Sequence, residues 1–283
     1  MLDQKIIDTA VAAALAEDAP QGDITSETLI PADATATANL DAREPGVFSG
    51  GAVFAAAFTL TDPSVSIELK IKDGETFEAG QVLATVTGNA RAVLTGERVA
   101  LNFVQRMCGI ATQTARYVKA IEGTGARILD TRKTTPLLRA FEKYAVTCGG
   151  GHNHRFSLSD MVMAKDNHLA VLTRGGLDLT HELSRVREQL PEHIKLEVEV
   201  DRLDQIEPVL AAKPDIIMLD NFSLEDLRTG VAQVAGRAVV EASGGVNLNT
   251  VRAIAETGVD VISVGALTHH IQALDLGLDV VIH

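Results

Sequence analysis

The segments KLEVEVD (195–201), DIIMLDN (215–221), AVVEASGG (238–245) and VDVISVGA (259–266) decide the fold. Each is a short apolar run that ends in a carboxylate, a serine or a glycine, and helix-like sequence follows it. Two earlier runs, ARILDTRK (126–133) and DMVMAKDN (160–167), repeat the pattern. With Thr131, Lys165, Glu199, Asp220, Ser243 and Gly265 marking the run ends, the intervals are 34, 34, 21, 23 and 22 residues. That is the spacing of βα units. Six runs over residues 113–268 average 26 residues each, whereas a full eight-unit barrel takes ~200 residues or more. The pattern predicts an α/β protein with a reduced barrel of six or seven strands. An open doubly wound sheet is the alternative, because spacing does not reveal closure.

Upstream the periodicity changes. TATANLDARE (35–44) alternates polar and apolar residues, and VSIELKIKDGETFEAGQVLATVTG (65–88) reads as period-2 strands broken by Asp73-Gly74 and Ala79-Gly80, the signature of an antiparallel sheet. The second stretch resembles a biotinyl or lipoyl carrier hairpin, but the turn Gly88-Asn89-Ala90 has no lysine to modify. The stretch MLDQKIIDTAVAAALAEDAP (1–20) reads as an amphipathic helix on Leu2, Ile6, Val11 and Leu15, with Asp3, Lys5 and Asp8 interrupting any signal-peptide reading. A long helical pattern starts with Thr95 as N-cap and Glu97 in the first turn, and Gly109 divides it in two. The expected organisation is an N-terminal α+β domain over 1–112, joined by residues 269–283, and a barrel domain over 113–268. The tail HIQALDLGLDVVIH (270–283) reads as a final helix packed on the first domain.

The 283 residues are 46% hydrophobic, enough for a core and against disorder. A net charge of −13 argues against a nucleic-acid partner. No apolar run approaches the ~18 residues of a membrane span. Cys108 and Cys148 offer no disulfide framework, so a reduced, cytoplasmic setting is expected. The charge is uneven: residues 91–174 hold 13 Lys or Arg against six acids, a net +7 that leaves −20 for the remainder. An acidic chain with its cations gathered in one stretch suits a small polyanionic ligand.

In an α/β barrel the functional groups project from the C-terminal strand ends, which gathers the run-end residues on one face. Thr131, Arg132 and Lys133 leave the first strand, with Thr135 as N-cap and Pro136 as first helical residue, an arrangement that makes an anion site. The glycines of CGGGHNHR (148–155) let His154 and Arg155 approach a carboxylate or phosphate; a Cys148, His152, His154 zinc site lacks a fourth ligand. Lys165 is either a Schiff-base nucleophile or an anion-holding cation. Glu199 and Asp220 suit Mg²⁺ through a phosphorylated substrate or sugar hydroxyls, and Glu197 shares a face with Glu199 and competes with it. Ser243-Gly244-Gly245 and Val264-Gly265-Ala266 close the last two strands as a phosphate cradle.

These segments, with GDITSETLIP (22–31), GERVALNFVQRMCGIAT (96–112), ILDTRKTTP (128–136), EKYAVTCGGGHNHR (142–155) and GVDVISVGALTH (258–269), resemble the quinolinate phosphoribosyltransferases. The likeness runs across almost the whole chain. It implies phosphoribosyl transfer from phosphoribosyl pyrophosphate to quinolinate with decarboxylation, giving nicotinate mononucleotide, CO2 and pyrophosphate in NAD biosynthesis. It implies Mg²⁺ bound with phosphoribosyl pyrophosphate and no organic cofactor. By residue, it implies that Arg132, His154, Arg155 and Lys165 face quinolinate, that Lys133 faces the pyrophosphate, and that Glu199 and Asp220 hold the sugar and the metal pyrophosphate. Lys133, Lys165, Glu199 and Asp220 are then the catalytic groups, and the SGG and VGA loops hold the 5′-phosphate. A homodimer in which Arg98 reaches the partner's site is also implied, with a higher oligomer compatible. The likeness departs at Leu137, where family members often carry glycine.

Overall fold

The computed structural model describes residues 2–283. The chain divides into two compact units, one comprising the residues up to Ala115 with 135–150 and 270–283, the other 116–134 with 151–269. Residues 135–150, read from the sequence as part of the barrel domain, thus go with the first unit.

In the first unit β1 (Thr35–Ala42) lies between β5 (Val82–Asn89) and β12 (Leu276–Ile282), and β3 (Ser66–Leu69) lies beyond β5, all antiparallel. Strand alternation sets its buried face: Ala36, Ala38, Leu40 and Ala42 are buried while the residues between them are not. β2 (Gly46–Val47) and β4 (Thr76–Phe77) form a separate pair. The helices are α1 (Gln4–Asp18), α2 (Ile24–Leu29), α3 (Gly51–Thr59), α4 (Ala90–Ala120) and α5 (Arg139–Cys148).

Several sequence expectations are corrected here. The tail is a strand and not a helix, paired with β1 from Ala36↔Ile282 to Ala42↔Leu276. The long helix begins at Ala90, capped by Asn89, whose Oδ1 accepts from the Arg91 and Ala92 N–H groups at 3.1 and 3.3 Å. Thr95 lies inside it and donates to Asp23 Oδ2 at 3.2 Å. Nor does Gly109 divide this helix. A Cβ there would stand 2.2 Å from the Gln272 carbonyl oxygen, so glycine serves close backbone approach. Pro136 does not open a helix either, because α5 starts at Arg139. Thr135 instead accepts from Arg106 Nη2 at 2.6 Å and gives its N–H to Glu142 Oε2 at 3.1 Å.

The second unit holds β6 (Arg127–Leu129), β7 (Val162–Ala164), β8 (Leu196–Val200), β9 (Ile216–Asp220), β10 (Val239–Ser243) and β11 (Val261–Ser263). Helices α6 (Asp166–Leu172), α7 (Leu179–Gln189), α8 (Ile206–Ala211), α9 (Leu224–Val234), α10 (Val251–Ala255) and α11 (Ala266–His269) intervene. All six strands are parallel, in the order β6-β11-β10-β9-β8-β7. The first strand therefore pairs with the last, as in a barrel, with a seam between β6 and β7. At that seam His152 forms a single parallel bridge with Leu129, the remnant of a seventh strand. Outward residues such as Leu219 pack on the helices: a Cβ on Gly230 of α9 would meet Leu219 Cδ1 at 2.8 Å. The intervening residues point into the barrel.

Candidate active site

Each strand that ends in a polar residue places its side chain at the mouth of the barrel, and the residue two positions earlier lies one layer deeper on the same inner face. The result is a cavity of about 450 Å³ lined by Thr131, Arg132, Lys133, His154, Arg155, Met163, Lys165, Glu199, Met218, Asp220, Glu241, Ser243 and Ser263. That volume suits a small-molecule site. The expected residues Thr131, Arg132, Lys133, His154, Arg155, Lys165, Glu199, Asp220 and Ser243 all meet in it. Arg98 stands exposed on α4 of the first unit.

Four residues escaped the sequence reading: Met163, Met218, Glu241 and Ser263. All obey one rule that strand periodicity already contains. They precede Lys165, Asp220, Ser243 and Gly265 by two positions, as Glu197 precedes Glu199.

The cations are poised for an anion. Arg132 Nε is buried without a hydrogen-bond partner, and such a donor is costly unless something meets it. The Arg155 guanidinium is held by the Met161 carbonyl and Met163 Sδ, both at 3.3 Å. Burial and the neighbouring Arg132 charge push its pKa down. Thr131 Oγ1 accepts the Lys133 N–H at 3.0 Å, and the Lys133 carbonyl accepts from Thr268 Oγ1 at 2.8 Å. A Cβ on Gly265 would lie 3.1 Å from Lys133 Cδ, so glycine lets the lysine stem run close over the backbone. Lys165 Nζ pairs with Glu199 Oε2.

Glu197 and Glu199 resolve into two layers. Glu199 lines the cavity, whereas Glu197 is fully buried, with Oε2 at 3.1 Å from His154 Nε2. Glu241, also fully buried, approaches the same nitrogen at 3.3 Å and accepts from Ser263 Oγ. Burial would push the His154 imidazolium down, but hydrogen bonds to the two carboxylates outweigh it and lift its pKa to about 9. Burial pushes the Glu197 carboxyl up. His154 Nδ1 also accepts the Arg155 N–H at 2.7 Å, which opposes a second ring proton. In either protonation state Nε2 carries its proton toward the carboxylates. His154, Glu197 and Glu241 bring potential metal-ligating atoms within 4.8 Å of one another, yet a protonated Nε2 does not ligate. The cluster is a pair of buried carboxylates close to an imidazole nitrogen, and the Cys148, His152, His154 grouping is not the one that gathers.

Of the two glycine loops Ser243 lines the cavity, whereas Gly244, Gly245, Val264, Gly265 and Ala266 follow the ends of β10 and β11 without lining it. Gly244 and Gly245 have φ of +93° and +62°, and Asn221 beside them has φ of +57°. Asp220 Oδ2 accepts from Asn221 Nδ2 at 2.6 Å.

Residues 23–108 match the Quinolinate phosphoribosyl transferase, N-terminal domain, and residues 110–279 match its C-terminal domain. The chain is 43% identical over 275 residues to the nicotinate-nucleotide pyrophosphorylase (carboxylating) of Mycobacterium leprae, covering 94% of each protein. A probable enzyme of the same name from Bacillus subtilis is 39% identical over 264 residues, 93% of this chain and 90% of that one. Among solved structures, the nicotinate-nucleotide pyrophosphorylase from Francisella tularensis superposes with a TM-score of 0.92 at 38% identity, covering 99% of this chain and 98% of that one.

Proposed function

The chain belongs to the quinolinate phosphoribosyltransferase family, and from that membership we infer that the barrel-mouth cavity holds quinolinate and phosphoribosyl pyrophosphate side by side. The reaction is phosphoribosyl transfer to quinolinate with decarboxylation, giving nicotinate mononucleotide, CO2 and pyrophosphate in de novo NAD biosynthesis. The observation that carries the site reading is the convergence of Arg132, Lys133, Arg155 and Lys165 on one cavity of an otherwise acidic chain.

Arg132, with its unmet Nε, and Arg155 take the two quinolinate carboxylates, since guanidinium forks match carboxylates bidentately. His154, whose Nε2 is turned to Glu197 and Glu241, forms the wall between them. Lys165 pairs with the Glu199 carboxylate, an arrangement that suits holding an anion better than a Schiff-base role. Lys133 faces the departing pyrophosphate, and the loops at 243–245 and 264–266 take the 5′-phosphate. The ring nitrogen attacks C1 of the ribose as pyrophosphate leaves, and positive charge develops on the sugar, where Glu199 and Asp220 stabilise it. The C2–carboxylate bond then breaks, the cationic ring nitrogen stabilises the electron pair left at C2 as CO2 departs, and a proton from water takes the carboxylate's place there. No covalent enzyme nucleophile takes part.

The cavity carboxylates Glu199 and Asp220 are hard oxygen donors of the type Mg²⁺ uses alongside phosphates. Bound there with pyrophosphate, Mg²⁺ would neutralise the leaving anion. The exposed Arg98 supports a homodimer in which it completes the partner's site. The free thiols of Cys108 and Cys148 support a cytoplasmic setting, and among the described residues no helix is long and apolar enough to cross a membrane.

Incubation with quinolinate, phosphoribosyl pyrophosphate and Mg²⁺, with nicotinate as a parallel substrate, tests the reading. Nicotinate mononucleotide and CO2 are expected from quinolinate alone. A folded protein that yields neither would overturn it.

A further inference from the structure

Asn221 follows the last residue of β9 and lies in the left-handed region at φ +57°. A short side chain with its own hydrogen-bonding group tolerates that conformation best among non-glycine residues. Two contacts hold it. Its N–H donates to the Ser243 carbonyl at 2.9 Å, which ties it to the end of β10, where Ser243 pairs with Asp220. Its Nδ2 donates to Asp220 Oδ2 at 2.6 Å. The amide also abuts the next loop: a Cβ on Gly244 would stand 2.1 Å from Asn221 Oδ1 and 2.9 Å from its backbone nitrogen. Gly244 is therefore required by the asparagine as well as by its own φ of +93°.

The side chain thus bridges two adjacent strand ends. On one side is the carboxylate assigned to the sugar and metal pyrophosphate; on the other is the glycine loop assigned to the 5′-phosphate. We propose that Asn221 is a positioning residue for phosphoribosyl pyrophosphate, fixing the Asp220 carboxylate and the Gly244 loop in one register so that both ends of that substrate meet preset partners. This rests on the site reading above. A carboxylate with one oxygen fixed by an amide presents the other in a defined direction, which conserves the ordering entropy that a free rotor would lose on binding.

The test uses Asn221→Gly, which keeps the left-handed backbone and removes the amide, and Asn221→Asp, which keeps the size and replaces the donor with a second carboxylate. KM is measured for each substrate, with the Mg²⁺ dependence of the rate. Both variants are expected to raise KM for phosphoribosyl pyrophosphate, by roughly tenfold for Asn221→Gly and more for Asn221→Asp, the scale of a lost hydrogen bond to a charged group. Quinolinate affinity, titrated without the second substrate, is expected to stay within twofold. In an Asp220→Ala background Asn221→Gly should raise KM for phosphoribosyl pyrophosphate by clearly less than in the wild type, because part of its action runs through that carboxylate. Equal effects on both substrates, no effect, or full additivity with Asp220→Ala would overturn the proposal while the wild-type turnover left the site reading intact. An inactive wild type would instead remove the site reading itself. Should Asn221→Gly fail to fold, Asn221→Asp carries the comparison.

Discussion

Arg155 shows how a functional cation differs from a structural one. Its guanidinium reaches a carbonyl and a thioether, both at 3.3 Å, so most of its N–H donors stay available to a ligand. Arg155→Ala should therefore cost little stability and weaken quinolinate binding by about ten- to a hundredfold, the range of a lost hydrogen bond between charged groups. Calorimetric titration of quinolinate beside a thermal melt reads both, and unchanged affinity in a folded variant would count against the assignment. Leu137 is the opposite case. It keeps the left-handed backbone that glycine suits, with φ +67°, and is 97% exposed, so no packing offsets its strain. Strain of about 1–2 kcal/mol for a side chain in that region exceeds the ~0.4–1 kcal/mol that the flexibility of glycine gives the unfolded chain. Leu137→Gly should stabilise the fold by about 0.5–1 kcal/mol in a denaturant titration, whereas Leu137→Ala, which keeps the strain, should change little.

At the scale of the element, α2 depends on one carboxylate. Asp23 caps it by accepting from the Ser26 N–H at 3.0 Å and from Ser26 Oγ at 2.5 Å, and it receives the Thr95 hydroxyl of α4. The Ser26 hydrogen bonds lower its pKa below the usual carboxylate value. A group whose folded pKa is depressed stabilises the fold above its unfolded pKa and loses that contribution as pH falls through the folded one. Asp23→Ala should cost about 1 kcal/mol near neutrality, and the gap to wild type should narrow below pH ~4. A gap that did not narrow at all between pH 5 and pH 3 would show that the ionised carboxylate is not what holds the helix. Other elements differ in how much of them is legible in the sequence. The barrel strands were legible because each is a local apolar run with a polar end, and so were the residues at their tips. Glu241 and Ser263 were not picked out, although two-residue periodicity puts them beneath Ser243 and Gly265. The C-terminal strand was misread because its partner β1 lies more than 230 residues away and nothing local announces the pairing. Gly109 was not legible as a close-packing glycine because the Gln272 backbone that requires it is also remote in sequence.

Across the whole molecule, the cations that face the cavity come from the barrel unit, while Arg98 belongs to the other unit and is exposed. Leu158 and Val171, which line a groove with Val162 and Ala164 of β7, are exposed, and exposed apolar side chains of this kind are a surface that a second copy can cover. Mixing two inactive proteins distinguishes sharing from self-sufficiency. An Arg98→Ala subunit supplies an intact Lys133, and a Lys133→Ala subunit supplies an intact Arg98. If Arg98 acts across the interface, every mixed dimer holds one complete site, and an equal mixture after subunit exchange should regain roughly a quarter of wild-type activity, since half the dimers are mixed. If each chain builds its own site, every site in the mixture lacks one residue and no activity returns. Exchange is verified with differently tagged chains, so silence from a sample with proven mixed dimers would place Arg98 in the service of its own subunit.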